Sequence, residues 1–127
     1  MASVDVGVAL LGYGTVGASV NRLLVESAEE IERATGHRLR IVRALVRDAD
    51  KARSFAAADD VITTDFAAVR DDPSIRVVAE VMGGLDPASG YVRELLRAGK
   101  SVVTANKQLV AREGADLFAI ASDAGVQ

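Results

Sequence analysis

The chain contains no cysteine. Disulfides, thiolate catalysis and cysteine-built metal sites are thereby excluded. Histidine occurs once, at His37, in a polar stretch between Gly36 and Arg38. One solvated imidazole cannot assemble a metal site without several carboxylates, and no metal is expected. Aromatic residues make up only 4% of the chain, so its core must be aliphatic. No run approaches the ~20 apolar residues of a membrane-spanning helix. The start, Met1-Ala2-Ser3-Val4-Asp5, lacks the basic opening of a signal peptide. Fifteen basic residues against 18 acidic ones give a net charge of −3, without the clustered basic face that nucleic-acid binding needs. The expectation is a cytoplasmic protein whose partners include neither membrane nor nucleic acid.

What is present points to one α/β domain. The length, 127 residues, suits a single domain, and a hydrophobic content of 50% can fill a core. A Val- and Ala-rich chain with few aromatics fits buried parallel strands covered by helices. Val4 to Leu11 is nearly all apolar and forms the first strand. A helix follows from Thr15 to about Thr35, with Val16, Val20, Leu23, Leu24, Ile31 and Ala34 on one face and Gly36 as terminator. Leu39 to Val46 makes a second strand, and Asp50 to Ala57 a short Ala-rich helix. Val61 to Thr63 is a brief strand. Asp65 caps a helical turn over Phe66 to Arg70. Val77 to Met82 is a central strand broken by Gly83-Gly84. Asp86-Pro87 then opens a helix, Asp as cap and Pro in the first turn, which presents Tyr91, Val92, Leu95 and Leu96 inward and ends at Gly99. Ser101 to Thr104 is the next strand. The last helical region, Leu109 to about Ala124, carries Leu117, Phe118, Ile120 and Ala121 on its apolar face and is interrupted near Arg112 to Gly114. Gly125 ends it, and Val126 could begin another strand.

Strands and helices thus alternate, which implies a Rossmann-type parallel sheet with helices on both faces. Ligands of such sheets bind beyond the carboxyl ends of the strands. Three segments lie there. Gly12, Gly14 and Gly17 give G-x-G-x-x-G between a buried strand and a helix, the context that a dinucleotide phosphate site requires. Gly12 allows the tight turn, Gly14 leaves the backbone open to a pyrophosphate, and Gly17 lets the helix lie close to the strand. The helix start then attracts the phosphates through its N–H groups and its dipole. Gly83-Gly84 is either a tight turn or a backbone lying against a ligand, with Met82 as a soft apolar wall beside it. Thr104-Ala105-Asn106-Lys107 ends the last strand. Lys107 is the chain's candidate for polarising a carbonyl or moving a proton, and Asn106 can orient a hydroxyl.

The second strand ends in Val46-Arg47-Asp48. An arginine there matches the 2′-phosphate of NADP, and Lys51, one turn further on, adds charge. Asp48 could serve a ribose hydroxyl instead, so NADP or NAD both stay open.

Four segments together resemble the amino-terminal domain of homoserine dehydrogenases. They are Leu11 to Gly17, Val46-Arg47-Asp48, Glu80-Val81-Met82-Gly83-Gly84, and Ala98 to Lys107. The Val-Met-Gly-Gly and Thr-Ala-Asn-Lys stretches carry more weight than the glycine fingerprint, and Asp86-Pro87 stands where that family often has Glu-Pro. The resemblance implies interconversion of L-homoserine and L-aspartate 4-semialdehyde with NAD(P), at the branch toward threonine, methionine and isoleucine. It implies that Gly12, Tyr13, Gly14, Thr15, Val16 and Gly17 hold the pyrophosphate, and that Arg47 and Lys51 meet the 2′-phosphate. Met82, Gly83, Gly84, Thr104, Ala105 and Asn106 would line the nicotinamide side, with Lys107 at the catalytic centre. That family's homoserine-binding residues lie in a following domain. The expectation is therefore a truncated Rossmann domain over residues 1–127, with an open edge after the Ser101 to Thr104 strand. Alone it would bind nucleotide weakly and lack dehydrogenase activity, and the full-length protein would be a homodimer. The alternative is a stand-alone dinucleotide sensor without catalysis.

Overall fold

A computed structural model describes residues 4–50, 57–58 and 60–127. Its elements are β1 (Val4–Leu11), α1 (Thr15–Glu26), α2 (Ala28–Thr35), β2 (His37–Leu45), β3 (Ile62–Thr63), α3 (Phe66–Arg70), β4 (Ile75–Glu80), α4 (Ala88–Arg97), β5 (Ser101–Thr104) and α5 (Lys107–Ala124). All pairings are parallel, and the sheet order is β3-β2-β1-β4-β5. The expected Rossmann-type architecture is therefore found. The expected helix over Asp50 to Ala57, and with it Lys51, lies outside the described residues.

β1 is buried because it sits at the centre, and its alternate side chains enter two different cores. Val6, Val8 and Leu10 pack with Ile41, Ala44 and Ala18 of α1. Ala9 and Leu11 pack on the other face with Val69 of α3 and Leu95 of α4. A third cluster, Val92, Leu96, Leu109, Leu117 and Ala121, joins α5 to α4. Each Val, Leu or Ile side chain so enclosed contributes about 1.5–3 kcal/mol, and the core is mainly aliphatic, as expected.

Several boundaries differ from the sequence expectation, each for a local reason. The first helix is two helices, because Ser27 leaves helical geometry at φ −107°, ψ 16°. α1 buries Gly17, Ala18 and Asn21, whereas Val16 and Leu23 are 54% and 59% exposed. The small residues face the sheet because α1 lies too close for larger ones. β2 begins at His37 rather than Leu39 and ends at Leu45, so His37 is an exposed strand residue. β4 stops at Glu80, not Met82, because the Glu80 side chain takes the next amides, as described below. α4 starts after Pro87 without a side-chain cap. Asp86 therefore stands outside the cap position, and the Leu85 carbonyl receives the Ser89 N–H at 2.7 Å instead.

α5 runs unbroken from Lys107 to Ala124. Tertiary contact overrides the weak stretch around Gly114. Glu113 accepts from Ser89 Oγ at 2.5 Å and from Arg93 Nη2 at 2.6 Å, which ties the middle of α5 to α4. Phe118, expected on the apolar face, is 73% exposed. Two other expectations hold: Asp65 caps α3 by accepting from Ala67 N, and Gly125 ends α5 in the left-handed region. Val126 begins no strand. Its amide turns back to Ala121, and Gln127 reaches β5, its carbonyl accepting Val102 N–H at 2.7 Å and its amide donating to Ser101 Oγ at 3.3 Å.

At the opposite end of the sheet from the carboxyl ends, Lys100 is 5% exposed. Its ammonium donates to the carbonyls of Asp72 and Ile75 at 2.7 and 2.8 Å, fastening β5 to the turn before β4. Removal from water holds its pKa below the ordinary 10.5, despite the opposing pull of Asp72 and Asp71. The folded state thus binds this proton less tightly than the unfolded chain does, and stability rises as pH climbs toward 10.5. Lys100→Met should lower stability at neutral pH by about 1–3 kcal/mol, because the buried Ile75 carbonyl loses this donor and the Asp72 carbonyl keeps only the Ile75 amide. It should also remove the alkaline rise. Urea denaturation across a pH series checks both.

Candidate functional site

The strand order reverses between β1 and β4, and there the sheet opens at its carboxyl end. This topological switch point is where open α/β sheets bind ligands. A cleft of about 820 Å³ occupies it. Its floor is the turn from Gly12 to Thr15, one wall is Leu45 to Asp48 at the end of β2, and the other is Val81 to Gly83 after β4. Thr64, Pro87 and Tyr91 close the far side.

The floor is made by backbone approach. Gly12 has φ +102°, a conformation that side-chain-bearing residues rarely adopt. A Cβ on Gly17 would lie 2.5 Å from the Gly12 carbonyl oxygen, so α1 can sit here only with glycine at that position. Gly14 differs: a Cβ there meets nothing within 4 Å. The space beside it is open to the cleft. Gly14 is also the N-cap of α1, with no side chain bonding into the first turn. The amides of Thr15, Val16 and Gly17 have no intrahelical acceptor, and with the helix dipole they form an anion-attracting end. This cradle of open backbone and unsatisfied donors suits a pyrophosphate. The Tyr13 ring turns away from it into the core, its hydroxyl accepting from Asn21 Nδ2 at 2.8 Å.

Of the other residues expected here, Arg47, Met82 and Gly83 border the cleft. Arg47 is exposed at the end of β2, and beside it the Asp48 carboxylate accepts the Asp50 amide at 2.9 Å. Val16 and Gly17 do not line the cleft: the first points outward and the second packs beneath the turn. Gly83 and Gly84 both have left-handed φ, +75° and +74°, so the tight-turn reading of the pair holds, and Gly83 lies on the cleft as well.

Thr104, Ala105, Asn106 and Lys107 do not border the cleft directly. They are tied to it through a residue to which the sequence reading gave no role. Glu80, the last residue of β4, is 0% exposed. Its Oε2 accepts from Met82 N at 2.9 Å and Gly83 N at 3.1 Å. Its Oε1 accepts from Thr104 Oγ1 at 2.6 Å, and its backbone carbonyl takes the Ala105 amide. Thr104 Oγ1 in turn accepts from Asn106 N. The Asn106 side chain donates to the Gly84 carbonyl and accepts from Leu109 N, capping α5. Lys107 is the first residue of that helix and is exposed. A charged residue inside an otherwise apolar strand was the available signal for Glu80, since such groups are almost never buried without partners.

Tyr91 and Thr64 were also missed as cleft residues. Tyr91 stacks on Phe66 with ring centroids 4.2 Å apart, and its place on the inward face of α4 was legible. Nothing in the sequence marks Thr64.

The fold and the cleft define a Rossmann-type domain of the dinucleotide-binding class. Comparison with known proteins narrows this. The family described as the NAD-binding domain of homoserine dehydrogenase matches residues 12–127, and the chain belongs to that family. It is similar to the homoserine dehydrogenase of Bacillus subtilis, 39% identical over 93% of this chain, and to that of Corynebacterium glutamicum, 41% identical over 95%. In each case it spans 27% of the relative's length. The crystal structure of a homoserine dehydrogenase from Thiobacillus denitrificans superposes with a TM-score of 0.91 at 45% identity, covering 99% of this chain and 29% of that one. Among the described residues, no group of three or more metal-ligating side chains gathers, and no helix is long and apolar enough to cross a membrane.

The two glycines make opposite predictions. Gly17→Ala should destabilise the fold by about 2–3 kcal/mol, because the new methyl meets a backbone carbonyl that cannot move aside. Gly14→Ala should stay within about 0.5 kcal/mol of the parent yet weaken dinucleotide binding. Thermal melting paired with dinucleotide titration separates the two effects.

Proposed function

We propose that this chain is the cofactor-binding part of an NAD(P)-dependent homoserine dehydrogenase. Such an enzyme interconverts L-homoserine and L-aspartate 4-semialdehyde by hydride transfer. The observation that carries the reading is the Gly12–Gly17 turn, which presents open backbone and an uncapped helix start at the switch point. Family membership supplies the substrate class. The bound nicotinamide supplies the hydride chemistry, and the residues of this chain bind and orient it.

In this reading, the first-turn amides of α1 and the open backbone at Gly14 hold the pyrophosphate. Arg47 meets the adenosine 2′-phosphate with its planar, permanently charged fork, favouring NADP, and Lys51 adds charge there. Met82, Gly83 and Gly84 with Thr104, Ala105 and Asn106 bound the nicotinamide side. Lys107, carried at the capped start of α5, stabilises negative charge developing on the substrate oxygen. The homoserine-binding residues lie outside these 127 residues. The isolated chain then binds dinucleotide weakly and does not turn over substrate. The complete enzyme is a cytoplasmic homodimer in the branch toward threonine, methionine and isoleucine.

Calorimetric titration of the chain with NADP and with NAD tests this. NADP should bind more tightly, and Arg47→Ala should weaken NADP by about tenfold while leaving NAD within about twofold. Absence of binding by both dinucleotides would sink the cofactor reading, and robust turnover by the isolated chain would sink the division of labour.

A further inference from the structure

The cleft residues and the Thr104–Lys107 segment belong to different strands, yet one buried carboxylate holds both. We propose that Glu80 is a positioning residue. It locks the Met82–Gly84 turn to the start of α5, so that the nicotinamide half of the site is built as one piece. The proposal rests on the cofactor reading above and concerns only how the chain assembles that half.

The geometry argues for a dedicated role. Glu80 is completely buried, and no lysine or arginine forms an ion pair with it among the described residues. An enclosed carboxylate is costly unless hydrogen bonds replace its water. Here two backbone amides of the cleft wall and one hydroxyl from the neighbouring strand β5 do so. The two amides fold the chain sharply back after β4 into the left-handed glycine pair. The hydroxyl belongs to Thr104, which also receives the Asn106 amide and so fixes the residue that caps α5. Asn106 completes the ring by donating to the Gly84 carbonyl. An apolar side chain at position 80 would leave the Met82 and Gly83 amides and the Thr104 O–H without these acceptors. The pyrophosphate cradle shares no hydrogen bond with this ring: its Gly12 amide bonds to the Leu45 carbonyl of β2, and it meets the ring only by packing of Gly12 against Met82.

That separation gives the test. The 127-residue chain is titrated with NADP and with 2′-phospho-ADP-ribose, the same molecule without nicotinamide. Thr104→Val keeps the shape of the side chain and cuts the tie. It should weaken NADP by about tenfold and leave the fragment within about twofold. Glu80→Ala should do the same or more. Glu80→Gln should restore binding, since its oxygen can accept both amides and its NH₂ can donate to Thr104. Should Glu80→Ala fail to fold, Thr104→Val carries the test. Equal loss of both ligands would mark a general structural role and overturn the proposal, as would no loss of either.

Amide hydrogen exchange reads the coupling without any ligand. Thr104→Val should speed exchange at Met82 and Gly83, in the segment after the neighbouring strand β4, and unchanged exchange there would overturn the proposal. If the parent chain binds neither dinucleotide, the cofactor reading fails, and the exchange result alone decides whether Glu80 couples the two segments.

Discussion

The site depends on how near α1 can come to the end of β1. Gly17 rests against the Gly12 carbonyl at a distance no side chain allows, and this contact sets the height of the helix above the sheet. Because α1 sits so low, its first turn points its unsatisfied amides into the cleft rather than over it. The same closeness selects what α1 buries: Gly17, Ala18 and Asn21 instead of valine and leucine. A helix one side-chain layer higher would still pack, but its dipole would end in solvent beyond the reach of a ligand in the switch-point crevice.

The two halves of the cleft are made by different means. The half at the Gly12–Gly17 turn relies on glycine, that is, on side chains left out. The half at the Met82–Gly84 turn relies on a polar ring around the buried Glu80. Local dielectric strengthens such a ring while it is complete and penalises it when one member is lost. Tolerance to substitution should therefore differ across a cleft that looks continuous from outside.

How much of this was legible follows from range of interaction. The alternation of apolar runs, the glycine spacing and the helix end at Gly125 are local patterns, and the parallel sheet follows from them. The orientation of α1 was not legible, because periodicity favours Val16 and Leu23 as inward residues and only the Gly12–Gly17 contact excludes them. The unbroken course of α5 depends on Ser89 and Arg93 meeting Glu113 from another helix, contacts 24 and 20 residues distant in sequence. Among site residues, Gly12, Gly14, Arg47, Met82 and Gly83 were found by motif and do border the cleft. Glu80 was passed over because strand pattern alone cannot tell a buried acceptor from a misplaced surface charge. Asn106 caps α5, a contact with Leu109 and Gly84 that uses both ends of its amide within the protein.

β5 carries a different kind of consequence. Its outer side forms the border of the sheet, and among the described residues only the Gln127 carbonyl bonds to its backbone there. Val103 on the strand lies open to water, as does Phe118 on α5. An unprotected strand border next to apolar surface is a template for adding further strands. For anyone handling the 127-residue polypeptide, this border rather than its net charge of −3 would govern how concentrated a solution can be made before molecules begin to join edge to edge. A lysine at position 103 would be the simplest remedy.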